Sequence, residues 1–215
     1  MVIKLFSLSL LLILIHGVPA KSTPIRDSDG DEVKTGVEYY IDYAGFGFRG
    51  GIGLPGWSRL TCPSSVIQMQ SEVDRGLPVT LQTLVAPANK ISETTIYENS
   101  TVYVNFPQYV TRCEYGAAAW SVEISELDGK FLVVAGDSIS SPSSQFRVVP
   151  AGGENVYSFE VCLPIAWLQC LKLGLSNLLG VDRLVVNFQT DEIPFEFKFV
   201  KKRAFGSTKK VVRVK

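Results

Sequence analysis

Glu38 to Val79 contains E-Y-Y-I-D, the glycine-dense G-F-G-F-R-G-G-I-G-L-P-G, then T-C-P-S-S-V-I-Q-M-Q, then D-R-G-L-P-V. Short runs rich in β-branched and aromatic residues, separated by Gly and Pro clusters, read as strand, loop, strand, turn, strand. Cys62 stands at the start of the middle strand.

The rest of the chain continues in the same idiom. Tyr39–Ile41, Val66–Met69, Val79–Leu84, Thr101–Phe106, Trp120–Ile124 and Phe131–Ala135 show alternation or β-branched enrichment. Phe146–Val149, Tyr157–Val161, Leu171–Leu175, Leu184–Phe188 and Phe195–Val200 extend the series. A spacing of about 8–15 residues with turn residues between marks an all-β sandwich or barrel. Val161 to Leu179 is the one apolar stretch with any helical character. Its two cysteines and Pro164 favour two strands joined by a loop, with room for a helical turn near Trp167. Internal self-similarity is weak; Trp120-Ser121-Val122 against Phe146-Arg147-Val148 is the best example.

Four pieces of the opening stretch carry a resemblance. The Y-Y-I strand at Tyr39, the Gly pair at Gly50, C-P-S-S-V-I-Q from Cys62 and G-L-P-V from Gly76 stand in order. In this the chain resembles the Kunitz soybean trypsin inhibitor family. Further on, A-W-S-V at Trp120, F-R-V-V at Phe146, Y-S-F-E-V-C ending at Cys162 and D-R-L-V-V at Asp182 also resemble the family's strands. After Cys170 the chain departs from the pattern, with L-K-L-G-L where the family has a D-V-G-I-type strand. The resemblance implies a β-trefoil of about twelve strands with pseudo-threefold symmetry, since periodicity alone supports only an all-β fold.

Residues 1–20 read as a secretory signal peptide: Lys4 near the start, an apolar run from Leu5 to Ile15, and small residues at Val18-Pro19-Ala20. The run is too short to span a bilayer, which takes about 20 apolar residues. Residues 21–202 are expected to form one inhibitor domain and 203–215 a basic, disordered tail. The expected destination is the extracellular space, the apoplast, or the vacuole. His16 is the only histidine and would leave with the leader, so mechanisms built on histidine as base or metal ligand fall away. With no catalytic motif left, an enzyme is not expected. Without Lys4, 20 basic residues face 21 acidic ones, which gives no electrostatic case for nucleic acid or membrane partners.

Four cysteines in an exported chain read as two disulfides. Three pairings are possible, and the short spacing of Cys162 and Cys170 suits a local hairpin clip, leaving Cys62 with Cys113. Both pairs match the bridges of the resembled family.

Asp27, Asp29, Asp31 and Glu38 fall at offsets of a calcium loop, but Glu32 occupies the position that needs glycine, so a solvated acidic turn is the better reading. Gly45 to Gly56 lacks the lysine and following helix of a phosphate cradle and reads as a connection between strands. No metal and no cofactor is expected. Asn99-Ser100-Thr101 is an N-glycosylation sequon.

Ala86 to Glu98, A-P-A-N-K-I-S-E-T-T-I-Y-E, lies between two predicted strands. The resemblance makes this connection the reactive loop, with Lys90-Ile91 as its inhibitory bond and a trypsin-like serine endopeptidase as its target. The family's usual loop-supporting asparagine is replaced by Thr35, which still hydrogen-bonds but with fewer donors. The expected action is that of a monomeric, substrate-like plug. The alternatives are a binding or storage protein on the same scaffold, since a fold does not dictate a function, or an inhibitor of cysteine or aspartic proteases.

Overall fold

The computed structural model describes residues 22–45, 47, 49–56, 61–83, 94–107, 118–137, 142–162, 170–188 and 192–203. Fourteen strand segments run through them. The first unit holds β1 (Glu38–Tyr43), β2 (Ile52–Gly53), β3 (Ser64–Ser65), β4 (Ile67–Gln68) and β5 (Val79–Thr83). The second holds β6 (Thr101–Asn105), β7 (Ala119–Ile124), β8 (Phe131–Asp137) and β9 (Phe146–Pro150). The third holds β10 (Tyr157–Cys162), β11 (Cys170–Leu178), β12 (Val181–Val186), β13 (Ile193–Pro194) and β14 (Phe197–Lys201).

The pairing closes a ring. β1 pairs with β5, β5 with β6, β6 with β9, β9 with β10, β10 with β14, and β14 returns to β1. Six strands thus form a barrel without a free edge. Six of the other eight segments make three hairpin pairs, β2–β4, β7–β8 and β11–β12, one per unit, and β13 bonds β11. These hairpins meet one another where β12 bonds both β4 and β8 and where β3 bonds β8. A six-stranded barrel capped by three mutually paired hairpins is a β-trefoil. One residue, Val66, separates β3 from β4, and two separate β13 from β14. Joining each of these pairs gives the twelve strands of the fold.

Alternation along each barrel strand fills the interior. Tyr39 and Ile41, Val79 and Leu81, Val102 and Val104, Phe146 and Val148, Phe159 and Val161, and Phe197 and Phe199 are all buried. Trp120 of β7 is fully buried against Phe106, Phe146 and Phe159, with ring centroids 5.6, 6.0 and 5.7 Å away.

The structure gives the glycine motifs a physical reason. The backbone at Gly50 and Gly51 passes against the carbonyls of Ser71, Asp74 and Arg75, where an added Cβ would collide. Gly76 sits at φ +68° with its Cα against the Ile52 carbonyl, and Leu77 N–H donates to that carbonyl at 2.8 Å. The G-G pair and the G-L-P-V turn are therefore two sides of one backbone contact, open only to residues without a side chain.

Some boundaries differ from the sequence expectation. Ile52–Gly53 is a strand inside the segment read as a connection, because its backbone bonds β4. The strand expected at Leu184–Phe188 is Val181–Val186; Phe188 is instead exposed and packs on Phe131. Trp120 and Phe146 lie in β7 and β9, two strands of a single unit, so their likeness is not the threefold repeat.

Ion pairs tie the cap together. Arg183 of β12, nearly buried, binds Asp128 in the β7–β8 turn, and Lys130 binds Glu192. Burial by itself would raise the Asp128 carboxyl. The Ser125 hydroxyl, the Arg183 guanidinium and the Lys130 N–H outweigh it and hold the group below the usual carboxylate range. A carboxylate depressed in the folded state contributes stability above its unfolded pKa, lost as pH falls through the folded value. Asp128→Asn should therefore lower the urea midpoint at pH 7, and the gap from wild type should narrow as pH falls below about 4, the ordinary carboxylate range. A gap that persists undiminished at pH 3 would refute the assignment.

Candidate functional site

The connection between β5 and β6 is held from both ends. On its upstream side β5 runs to Thr83, with Thr83 opposite Val102 and Gln82 opposite Tyr103. Residues 84–93 follow, and with them Lys90 and Ile91 lie outside the described residues. The chain is described again from Thr94, and 94–97 is the downstream stem.

That stem is zipped between two arms of the N-terminal segment. Pro24 bridges Tyr97 on one side and Lys34 bridges Thr95 on the other, while Arg26 bridges Glu32 between the arms. Ile25 N–H donates to the Ile96 carbonyl and Ile96 N–H to the Val33 carbonyl, both at 2.9 Å. Ile25, Val33 and Ile96 are fully buried, which gives these short pairings a hydrophobic reason to persist. Asp27 closes the turn between the arms: its carboxylate accepts the backbone N–H groups of Asp29 at 2.9 Å and Asp31 at 3.0 Å. This is a turn-forming use of the acidic residues.

Thr35 stands at the end of this hairpin and is buried. Its Oγ1 accepts the Thr94 N–H at 2.9 Å, and its own N–H donates to the Thr94 carbonyl at 2.9 Å. Thr35 therefore grips the first described residue after the 84–93 segment. Gly36 N–H donates to the Leu81 carbonyl of β5, so the same turn touches both stems. Around it, the Thr95 hydroxyl donates to Glu32, Lys34 N–H donates to the Tyr39 hydroxyl, and Arg26 N–H donates to the Tyr157 hydroxyl at 2.8 Å. Burial pushes the Tyr157 phenol above its ordinary range, more than the Arg26 N–H and charge lower it, so it stays protonated at neutral pH.

The remaining sequence candidates are spread over the surface. Asn99 is exposed in the turn before β6, at φ +63°, with its N–H donated to the Val148 carbonyl. Cys162 and Cys170 form a disulfide between directly opposed residues of β10 and β11. Cys62 is also disulfide-bonded, and Cys113 lies outside the described residues. Arg203 pairs with Asp29, and residues 204–215 lie outside the description. Sequence reading missed the clamp made by Ile25, Glu32, Val33 and Ile96. Its only signal was a pair of isolated apolar residues among charges, far along the chain from their partners.

A family model described as trypsin and protease inhibitor, of the legume Kunitz type, matches residues 25–201. The chain belongs to the Kunitz trypsin and protease inhibitor family. Sporamin A of Ipomoea batatas is 30% identical over 179 residues, 80% of each chain. The trypsin/chymotrypsin inhibitor of Alocasia macrorrhizos is 28% identical over 196 residues, 84% of this chain and 98% of the relative. Among solved structures, soybean trypsin inhibitor superposes with a TM-score of 0.64 at 23% identity, over 84% of this chain and 99% of its own. At that identity the likeness is one of fold.

Proposed function

We propose that this Kunitz family member inhibits trypsin-like serine endopeptidases by presenting Lys90-Ile91 to the enzyme's cleft as an uncleaved or slowly cleaved substrate. The observation that carries the reading is the clamped stem: 94–97 is bonded on both sides, and Thr35 fixes the residue where the loop rejoins the fold. A loop held in one conformation before binding loses little entropy on docking, so contact energy appears as affinity. The family description and the named activity of the Alocasia relative support the same assignment.

Titrating trypsin, chymotrypsin, subtilisin and papain with the purified protein tests it. The expected result is stoichiometric loss of trypsin activity with papain unaffected. Inhibition of papain alone would move the target to another protease class. No inhibition of any of the four would make a binding or storage role on the trefoil the better reading.

Thr35 offers a finer test. Thr35→Val keeps the shape but removes the acceptor for Thr94 N–H, an interaction of about 0.5–1.5 kcal/mol. Trypsin inhibition should weaken about two- to twelvefold at 1.4 kcal/mol per decade. Amide exchange at Thr94 to Tyr97 should quicken, with the global unfolding midpoint little changed. Unaltered inhibition and exchange would show that the stem does not depend on Thr35.

A further inference from the structure

The sequon Asn99-Ser100-Thr101 falls in the turn that joins the clamped stem to β6. Ser100 N–H donates to the Tyr97 carbonyl at 3.1 Å and closes that turn. Asn99 N–H donates to the Val148 carbonyl at 2.7 Å, and Val148 N–H returns to the Ser100 carbonyl at 3.4 Å, so the backbone of the sequon is tied to β9. Asn99 itself is exposed. Its φ of +63° is one that asparagine tolerates better than most residues, which accounts for an asparagine here. It does not account for what the side chain does. A turn asparagine or aspartate ordinarily folds its side chain back onto nearby backbone. Asp74 does so with Gly76 N–H at 2.9 Å, and Asn177 with Gly180 N–H at 3.2 Å. The Asn99 amide makes no hydrogen bond among the described residues and stands open to solvent.

The neighbour of this open amide is the outer arm of the clamp. Glu98 N–H, one residue before the sequon, donates to the Thr23 carbonyl at 2.8 Å, and Tyr97 bridges Pro24. Ser22, Thr23 and Arg26 are exposed, and the arm is held by isolated bridges rather than by a continuous ladder. Exposed, thinly bonded segments near a chain's start are where proteolysis concentrates. An oligosaccharide is bulky, hydrated and confined to the surface. Attached one residue from the Glu98–Thr23 bond, it occupies the space through which a protease would approach the arm.

We propose that Asn99 carries an N-linked glycan that covers residues 22–26 against proteolytic attack. The attachment requires export, the expectation raised by residues 1–20, and a lipid-diphosphate-linked oligosaccharide as donor. The Asn99 Nδ2 bonds the anomeric carbon, the bond from that carbon to the diphosphate oxygen breaks, the lipid diphosphate leaves, and the amide loses one proton. The test uses the full chain, leader included, secreted from a mammalian host. Intact mass should fall on treatment with peptide N-glycosidase, which leaves aspartate at position 99. Thr101→Val removes the sequon but keeps Asn99, its turn and a β-branched residue in β6, and should be secreted without sugar. The glycosylated protein, the enzymatically deglycosylated protein and Thr101→Val are then exposed to thermolysin, a metalloprotease outside the proposed target class. N-terminal sequencing should show the arm lost severalfold more slowly from the glycosylated protein than from either sugar-free form, with melting temperatures alike. An untreated wild-type mass equal to that of the bare chain overturns the attachment. Equal loss of the arm from all three proteins, or loss from none, overturns the shielding. None of these measurements uses protease inhibition, so their failure is distinct from failure of the Lys90 reading.

Discussion

Lys90→Ala is expected to weaken trypsin inhibition by about 30-fold to several thousand-fold. In the proposed complex the Lys90 ammonium meets the carboxylate at the floor of the enzyme's specificity pocket. Truncating one partner of a buried charge pair costs about 2–5 kcal/mol, much of it the cost of leaving the other charge buried alone, and 1.4 kcal/mol is one decade. Lys90→Leu should shift preference toward chymotrypsin-like enzymes, whose pocket is apolar. Inhibition constants for the two variants against trypsin and chymotrypsin decide the matter. If Lys90→Ala inhibits trypsin as well as wild type does, the contact loop lies elsewhere on the trefoil.

The largest effect on stability is expected at Trp120. Its indole is fully buried and touches three aromatic rings from three different parts of the chain. Trp120→Ala should cost about 3–5 kcal/mol, the loss of apolar burial plus the cavity left behind. Trp120→Phe should cost much less. The Trp120 Nε1–H is buried without an acceptor among the described residues, and removing an unsatisfied donor recovers part of a desolvation cost of about 1–3 kcal/mol. Urea unfolding of the three proteins gives both differences. Equal losses for alanine and phenylalanine would mean that the indole is satisfied in solution.

The strands were legible because each barrel strand alternates, as in Tyr39 and Ile41 or Val102 and Val104, and because glycine alone fits at Gly50, Gly51 and Gly76. The threefold repeat was not. Equivalent inward positions, by strand register, hold Tyr39 and Ile41 in one unit, Val102 and Val104 in the next, and Tyr157 and Phe159 in the third. A core selects the total volume of its layers rather than the same residue at each symmetric position. Likeness between units is therefore erased while packing is kept. The start of β12 was legible only through the resemblance, which placed a strand at Asp182, whereas residue patterning began it at Leu184. The polar Asp182-Arg183 pair breaks the apolar run, yet Arg183 is buried because Asp128, from another unit, supplies its counter-charge.

The candidate site divides the same way. Thr35 was singled out by the resemblance alone, as the position of the family's loop-supporting asparagine before Tyr39-Tyr40-Ile41, and it makes two hydrogen bonds to Thr94. The arms that hold 94–97 could not be read, since each pairing is an isolated bridge made stable by the burial of Ile25, Val33 and Ile96 together. No local pattern encodes an association that exists only once the barrel beneath it has formed.

The clamp also binds the fate of the loop to residues 23–26. Glu98 N–H donates to the carbonyl of Thr23, and Pro24 and Arg26 form the outer arm. Proteolytic removal of the chain through Arg26 would strip one side of the stem while leaving the barrel whole. Residues 23–26 thus act as a fuse for the proposed inhibitory loop: intact, they hold the strand segment from which it emerges, and their loss would release that segment without unfolding the barrel.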